Sequence, residues 1–330
     1  MKIAKIVDQY GWAYYFLDKE QQKYSKHEIL VNKPGDVELE GLDVLYIHGP
    51  DISPEARELC FKAKDLGITV IGGHAGPIPN LCPYPYLDLA VGISPQTFNY
   101  CLENYSCPSI FLPEGVDTSF FVPFRRDRAI STWRKCNWRC AGEKSPIPSV
   151  TKRGGTRHSL IVGWAGRLDN VKRPHLLDQL DFKVNIQSQH GAQYFVERSL
   201  DHMLRFYNSI DVLVLTSLSE CMPRVVLEAC ACSIPVVCTD VGSIRMILDS
   251  KWIVPVNPES VVIEEMNKRL HLLGDKDLRD RVGDANRKRV EKTLSWKNLM
   301  PFWDTAFLAA IQKDTSSIQQ INQHFGINQL

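Results

Sequence analysis

An α/β fold is indicated most clearly by residues 211–240, DVLVLTSLSECMPRVVLEACACSIPVVCTD. This stretch opens with the apolar run Asp211–Leu215, passes through a serine-rich turn, and continues into a helical pattern that begins at Pro223. A second apolar run, Ile234–Cys238, follows the helical pattern closely. Strand, helix and strand in this order predict a β-α-β unit, whose two strands run parallel in one sheet.

The same alternation occurs on both sides of this unit and predicts two α/β lobes with parallel sheets. The predicted strands are Lys2–Val7, Ile29–Val31, Val44–Ile47, Ile68–Ile71, Leu89–Ile93, Ile110–Leu112, Ser159–Trp164, Lys183–Ile186, Asp211–Leu215, Ile234–Cys238 and Ile253–Val256. The predicted helices are Ser53–Leu66, Pro95–Tyr105, Asp201–Tyr207, Pro223–Cys232, Ser243–Leu248, Glu264–Thr293, and Trp296–Ile311 with an interruption at Pro301. The Gln/Asn-rich tail is expected to fray. Two such lobes place a ligand cleft between them, at the carboxyl ends of the strands.

Composition is typical of a soluble protein with two domains. The chain has 330 residues, at roughly 150 per domain. A hydrophobic fraction of 44% with 23% charged residues argues against a disordered chain. The 39 basic and 38 acidic residues leave a net charge of +1, so no global field favours nucleic acid as a partner. No run of 18 apolar residues is present, and Met1–Tyr15 has the pattern of a short strand rather than a signal peptide. We therefore expect a cytoplasmic protein.

The ten cysteines are scattered without CxxC pairs. Cys136 and Cys140 form one C-x3-C pair, but no second pair follows, so zinc has little support. In a chain without an export signal, we expect reduced cysteines that act as small apolar side chains.

Two cations follow the first predicted strand of the second lobe. Gly166 stands where a ligand can approach the backbone, and Arg167 and Lys172 lie five residues apart beyond it. A guanidinium and an ammonium that converge there would suit a diphosphate. Two solvated surface cations are the alternative interpretation.

Two carboxylates follow the buried strand Asp211–Leu215. Glu220 lies in the turn before the predicted helix, and Glu228 lies in the second turn of that helix. Such carboxylates can accept hydrogen bonds from the vicinal hydroxyls of a sugar or ribose. The N-terminus of the helix would present free N–H groups and partial positive charge to the cleft. Either glutamate alone is more often a surface charge or a helix-dipole partner.

These residues together resemble the retaining nucleotide-sugar glycosyltransferases of GT-B fold, family 4. The matching features are the pair Arg167 and Lys172 and the E-x7-E spacing from Glu220 to Glu228. Three further runs are similar to motifs of that family: LPEGVDTSFFVP (112–123), LEACACSIPVVCTDVGSI (227–244) and VDQYGWAYY (7–15). Two positions differ, since Glu114 replaces the usual Asn and Cys221 stands where a glycine is common.

The resemblance implies an α/β, GT-B-like fold of two Rossmann-like lobes. It places the acceptor-side lobe at residues 1–120, completed by a C-terminal helix and tail at 295–330 that return to it. The nucleotide-sugar lobe is expected at residues 159–294. The basic segment 121–158 between them matches no part of the family.

By the same resemblance, Arg167 and Lys172 hold the diphosphate of the donor, Glu228 the ribose hydroxyls and Glu220 the hydroxyls of the transferred sugar. Backbone amides near Met222, Pro223 and Arg224 would stabilise the same phosphates, and no bound metal or other cofactor is expected. The donor would be a UDP-, GDP-, ADP- or dTDP-sugar, and the acceptor a hydroxyl group of a glycan or glycolipid.

Two residues of the first lobe are weaker candidates. His74 follows the apolar run Ile68–Ile71 and matches the position of a family histidine near the transferred sugar, with a structural histidine in a Gly-rich turn as the alternative. Gly11 is a candidate for close approach to the donor, and a plain turn glycine is the alternative.

The basic segment 121–158 carries ten Lys and Arg against Asp127 and Glu143. A solvated loop is one interpretation, and a patch for an anionic acceptor or a peripheral membrane contact is the other, because Trp133 and Trp138 are interleaved with the cations.

The sequence thus favours a hexosyl- or glycosyltransferase of carbohydrate biosynthesis. A nucleotide-sugar epimerase or hydrolase on the same fold, and a degenerate protein that binds a nucleotide sugar or a partner, stay as alternatives. A dinucleotide oxidoreductase is disfavoured, because no GxGxxG follows either first strand.

Overall fold

The computed structural model describes residues 1–7, 10, 13–49, 54–74, 86–124, 160–189 and 200–326. These residues form two lobes, each built on a parallel β-sheet with flanking helices. The predicted α/β fold class with two Rossmann-like lobes is confirmed.

The first lobe has a six-stranded sheet in the order β2-β1-β3-β4-β5-β6. Its strands are β1 (Lys2–Ile6), β2 (Glu28–Asn32), β3 (Val44–His48), β4 (Thr69–His74), β5 (Leu89–Gly92) and β6 (Ser109–Phe111). The second lobe has a five-stranded sheet in the order β11-β10-β9-β7-β8. Its strands are β7 (Val162–Arg167), β8 (Val184–Gln189), β9 (Val212–Leu215), β10 (Val236–Thr239) and β11 (Ile253–Val254).

Ten α-helices lie in the described part of the chain. They are α1 (Ala13–Tyr24), α2 (Pro54–Asp65), α3 (Pro95–Asn104), α4 (Leu200–Ser209), α5 (Arg224–Ala231), α6 (Ile244–Ile247), α7 (Glu259–Leu272), α8 (Lys276–Thr293), α9 (Trp296–Gln312) and α10 (Thr315–His324).

The strands are nearly continuous apolar runs because helices cover both faces of each sheet. On β3, Leu45 and Ile47 belong to one core with Leu59 of α2, whereas Tyr46 faces Trp303 and belongs to the other. Trp303 lies in α9, a helix that comes after the second lobe in the sequence. Through Trp303, α9 packs on the sheet of the first lobe.

Three sequence predictions about helices are wrong. The helix predicted over Glu264–Thr293 is two helices, because Gly274 ends the first and the Asp275 side chain caps the second by accepting from Leu278 N at 2.8 Å. Pro301 does not interrupt α9. Proline has no N–H group, but Pro301 lies on the exposed face of the helix, so the missing hydrogen bond is at the surface.

The third wrong prediction concerns the C-terminal tail, which forms α10 rather than fraying. Asp314 caps this helix, and Ile318 and Ile321 are buried. At the other end of the chain, the strand pattern assigned to Met1–Tyr15 stops at Ile6, and α1 begins at Ala13.

The cysteines of the described residues are free, and all but Cys107 are buried. Cys136 and Cys140 lie outside the described residues, as does nearly all of the basic segment, residues 125–158. No helix in the described ranges has the length and apolar character that a bilayer span requires.

Candidate active site

The second-lobe motifs follow two neighbouring strands of the sheet. β7 ends at Arg167 and β9 ends at Leu215, and the two strands pair in parallel. The sheet order reverses at this pair, because the chain runs from β7 outward to β8 and then returns to β9 on the other side. Open α/β sheets bind ligands at the carboxyl ends of strands where the order reverses. The loops after β7 and β9 are therefore the expected walls of a binding site.

Lys172 and Glu220 join these two loops through an ion pair. Lys172 Nζ lies 2.5 Å from Glu220 Oε1, and the two side chains are 19% and 11% exposed. Ser217 Oγ donates a second hydrogen bond to the same carboxylate oxygen at 2.7 Å. The structure thus places a cation beside a carboxylate whose other oxygen, Oε2, can accept a hydrogen bond from a sugar hydroxyl.

A buried arginine that is not among the predicted site residues, Arg173, holds the loops together. The Arg173 guanidinium donates to the carbonyl oxygens of Thr216 at 2.6 Å, Val256 at 2.9 Å and Ser217 at 3.3 Å. The three bonds come from its three separate nitrogens, Nε, Nη1 and Nη2, whose fixed planar arrangement a single ammonium nitrogen does not offer. Burial lowers the pKa of Arg173. Its sequence signal, a basic residue beside Lys172, is the same as that of a solvated surface cation.

Arg167 is placed differently from Lys172. Its Nε lies 3.0 Å from Asp169 Oδ2 in its own loop, and its side chain is 60% exposed. The structure therefore does not bring Arg167 into the Lys172–Glu220 pair, and the convergence of the two cations on one anion stays a prediction. Gly166 fits its surroundings closely, because a Cβ atom there would lie 3.1 Å from the ring of Trp164.

Glu228 lies in a separate, buried group of polar side chains. Its Oε2 accepts a hydrogen bond from the Tyr207 hydroxyl at 2.7 Å, and its Oε1 accepts one from Arg224 Nε at 3.1 Å. Burial raises the pKa of Glu228, while the charge of Arg224 acts in the opposite direction. Oε1 lies 3.1 Å from both Arg224 Nε and Arg224 Nη2, whereas Oε2 accepts from the Tyr207 hydroxyl and keeps a lone pair for a further hydrogen bond. The contact of Glu228 with ribose hydroxyls stays a prediction.

The N-terminus of α5 lies between the two glutamates in sequence. Pro223 is its N-cap residue, and the Pro223 carbonyl accepts from the N–H groups of Val226 and Leu227. The N–H groups of Arg224 and Val225 therefore precede the first helical hydrogen bond and point out of the helix end. Met222 is buried beside them. Pro223 has no N–H group to offer an anion, and the anion-binding role of the backbone near Met222–Arg224 stays a prediction.

Cys221 packs against the first lobe. Its Sγ lies 3.7 Å from Thr97 Oγ1 in α3, and burial raises the pKa of the thiol to about 12. Gly242 supports the same loop from behind: its φ is +54°, and a Cβ atom there would lie 2.3 Å from the Cys221 carbonyl oxygen. The position of the loop that carries Glu220 thus depends on a glycine at residue 242.

His74 ends β4 and is buried on the first lobe. The centroid of its ring lies 5.5 Å from that of Tyr100 and 5.1 Å from that of Tyr105. These contacts describe a histidine in an aromatic pocket beside α3, and its role near a transferred sugar stays a prediction. Gly11 lies outside the described residues.

Within the described ranges, no three His, Cys, Asp or Glu side chains are grouped so that they could hold a metal ion. The expectation that catalysis needs no metal stays a prediction.

Comparisons with known proteins agree with this architecture. Residues 146–275 match the family described as Glycosyl transferases group 1. An uncharacterized glycosyltransferase of Methanocaldococcus jannaschii is 30% identical over 159 residues, which are 46% of this chain and 37% of that protein. The matched region thus spans little more than a third of the length of that relative.

Two solved structures share the fold over nearly the whole chain. Sucrose-phosphate synthase from Thermosynechococcus elongatus superposes with a TM-score of 0.69 at 13% identity, covering 95% of this chain and 100% of that one. HepE of Anabaena in complex with UDP-glucose superposes with a TM-score of 0.62 at 12% identity, covering 96% and 100%. The chain therefore has a GT-B fold whose second lobe carries the sequence pattern of the group 1 glycosyl transferases.

Proposed function

We propose that this protein transfers a sugar from a nucleoside-diphosphate sugar to a hydroxyl group of a glycan or glycolipid, with retention of the anomeric configuration and without a bound metal. The observation that carries the proposal is the Lys172–Glu220 pair, at 2.5 Å, in the loops after β7 and β9, where the sheet order reverses. The complex of its structural neighbour HepE with UDP-glucose supports a nucleotide sugar as the donor class.

The chemical task is to stabilise the leaving nucleoside diphosphate while negative charge grows on it. Lys172 supplies a cation at the end of β7, and the N–H groups at the start of α5 supply further donors. Binding of a pyrophosphate would draw Lys172 toward the phosphates and leave Glu220 to accept hydrogen bonds from sugar hydroxyls. Retention follows from the family resemblance.

Release of the nucleoside diphosphate tests the proposal. Purified protein is incubated with UDP-, GDP-, ADP- and dTDP-sugars, with and without glycan and glycolipid acceptors, and the released diphosphate is measured. We expect release with one donor class and a strong loss in Lys172→Ala. Lys276→Ala is the matched control, because Lys276 is 72% exposed and pairs within α8.

Two results would replace the proposal with another function. Turnover of the donor that no acceptor accelerates would indicate a nucleotide-sugar hydrolase or epimerase. Tight donor binding without turnover against a broad acceptor panel would indicate a binding protein.

A further inference from the structure

Arg224 connects the two lobes through two buried carboxylates. Its Nη2 lies 2.7 Å from Glu20 Oε1 in α1 of the first lobe and 3.1 Å from Glu228 Oε1, one turn further along α5. The side chains of Arg224, Glu20 and Glu228 are 14%, 5% and 7% exposed. Solvent therefore screens these three charges much less than it screens a surface pair.

Glu20 is held in place by a third element. Its other oxygen, Oε2, accepts a hydrogen bond from Trp296 Nε1 at 2.8 Å. Trp296 is fully buried at the start of α9, which packs on the first-lobe sheet. Glu20 thus offers Arg224 a partner whose position is fixed by α1 and α9, and not by the second lobe.

Glu228 depends on the same guanidinium. Burial raises the pKa of the Glu228 carboxyl, and the positive charge of Arg224 opposes that change, whereas the negative charge of Glu20 adds to it. Tyr207 holds the second oxygen of Glu228 at 2.7 Å. The charge and orientation of Glu228 are therefore set by Tyr207 from its own lobe and by a guanidinium that it shares with the other lobe.

We propose that Arg224 is a positioning residue that orients Glu228 for the nucleotide and, by sharing its guanidinium with Glu20, ties this orientation to the apposition of the lobes. The nucleotide part rests on the proposed function, in which Glu228 holds the ribose hydroxyls. The interlobe part rests on the geometry of Arg224, Glu20 and Trp296 alone.

Nucleotide binding tests the first part. Isothermal titration calorimetry with UDP, GDP, ADP and dTDP is performed on the wild type, Arg224→Gln, Glu228→Gln and the double variant. We expect each single substitution to weaken binding of the preferred nucleotide by about tenfold. Because Arg224 acts through Glu228, the double variant should bind no more weakly than Glu228→Gln. Effects that multiply, or a Glu228→Gln variant that binds like the wild type, would overturn this part.

Small-angle scattering without nucleotide tests the second part. Glu20→Gln and Arg224→Gln are expected to increase the radius of gyration, because each removes a charge from the contact between the lobes. Glu265→Gln is the control, since Glu265 pairs with Arg269 on the same helix, α7. Scattering curves of Glu20→Gln and Arg224→Gln that superimpose on that of the wild type would overturn the interlobe part.

The two measurements separate failure of this inference from failure of the proposed function. A wild type that binds none of UDP, GDP, ADP and dTDP overturns the proposed function and the nucleotide part together, and scattering then decides the interlobe part alone. If Arg224→Gln does not fold, Arg224→Lys replaces it, because a lysine keeps the charge but lacks the fork that reaches both carboxylates.

Discussion

Lys172 and Arg167 look alike in the sequence, but they differ in exposure and in their partners. Lys172 is 19% exposed and pairs with Glu220 across two loops, whereas Arg167 is 60% exposed and pairs with Asp169 in its own loop. An exposed pair such as the latter contributes little to stability.

We therefore predict that Lys172→Met lowers the rate of donor cleavage by about a hundredfold, since it removes a charged group that stabilises the leaving diphosphate. Arg167→Met is expected to leave the free energy of unfolding unchanged within about 0.5 kcal/mol. Diphosphate release and urea unfolding of both variants check this. An unchanged rate in Lys172→Met would contradict the assigned role of Lys172.

Glu114 gives a prediction about pH. Burial raises the pKa of Glu114 to about 7, so the folded protein favours the protonated form more than the unfolded chain does. The contribution of Glu114 to the free energy of unfolding is therefore highest below about pH 4, and it falls as the pH rises to about 7. Above that pH this contribution no longer changes, because Glu114 is ionised in the folded and the unfolded protein alike.

Glu114→Gln mimics the neutral acid and should remove this loss. At pH 8 the variant is expected to be more stable than the wild type by on the order of 3 kcal/mol, since one pKa unit corresponds to about 1.4 kcal/mol. Near pH 4 the two proteins should be equally stable. Urea unfolding across this pH range checks the prediction, and parallel stability curves for the two proteins would contradict it.

The sequence predicts site residues that stand in a recognisable local motif. It does not predict residues whose role depends only on a contact with a distant part of the chain. Lys172 and Glu220 each stand in a recognisable run after an apolar strand, and the structure brings them together. The roles of Arg173 and Arg224 depend on Val256 and Glu20, which lie far away along the chain. Nothing in one sequence marks such a pair in advance.

Secondary structure elements show the same limit. The strands are predicted well because buried parallel strands are continuous apolar runs. The division between α7 and α8 is missed because the short turn at Gly274 and Asp275 interrupts a pattern that is periodic on both sides. Formation of α10 depends on burial of Ile318 and Ile321, which a polar composition hides.

The substitution Gly242→Ala tests whether Gly242 supports the loop that carries Glu220. Gly242→Ala places a Cβ atom 2.3 Å from the Cys221 carbonyl oxygen at a φ of +54°, so it adds a clash to the backbone strain. We predict a destabilisation of about 3 kcal/mol and a loss of donor cleavage.

The matched control is Gly67→Ala, where φ is +74° and the described residues leave open space around the new Cβ atom. It should cost about 1 kcal/mol from the backbone alone and leave cleavage intact. Thermal unfolding and diphosphate release compare the two variants. Equal losses of stability would mean that the contact with Cys221 does not support the loop.

On the scale of the whole molecule, the C-terminal helices complete the first lobe. Asn322 of α10 donates to the Ser109 carbonyl at 3.1 Å and accepts from Phe111 N at 2.8 Å, so it binds the edge strand β6. Ile318 and Ile321 are buried beneath the same helix. The edge strand of the first-lobe sheet is therefore bound by a segment some 200 positions away along the chain.

We predict that ending the chain after Asp314 lowers the free energy of unfolding by about 4 kcal/mol, because two isoleucines lose their burial. Gln319→Ala, an exposed change on α10, should have little effect. Urea unfolding measures both. An unchanged unfolding midpoint after the truncation would show that α10 is not part of the first-lobe core.

A crystal structure of this protein with the nucleoside diphosphate that it binds best would show directly where the donor lies. We predict that the pyrophosphate contacts Lys172 Nζ and the N–H groups at the start of α5, with the ribose hydroxyls on Glu228. A diphosphate that lies away from Lys172 and from the start of α5 would show that the carboxyl ends of β7 and β9 do not form the donor site.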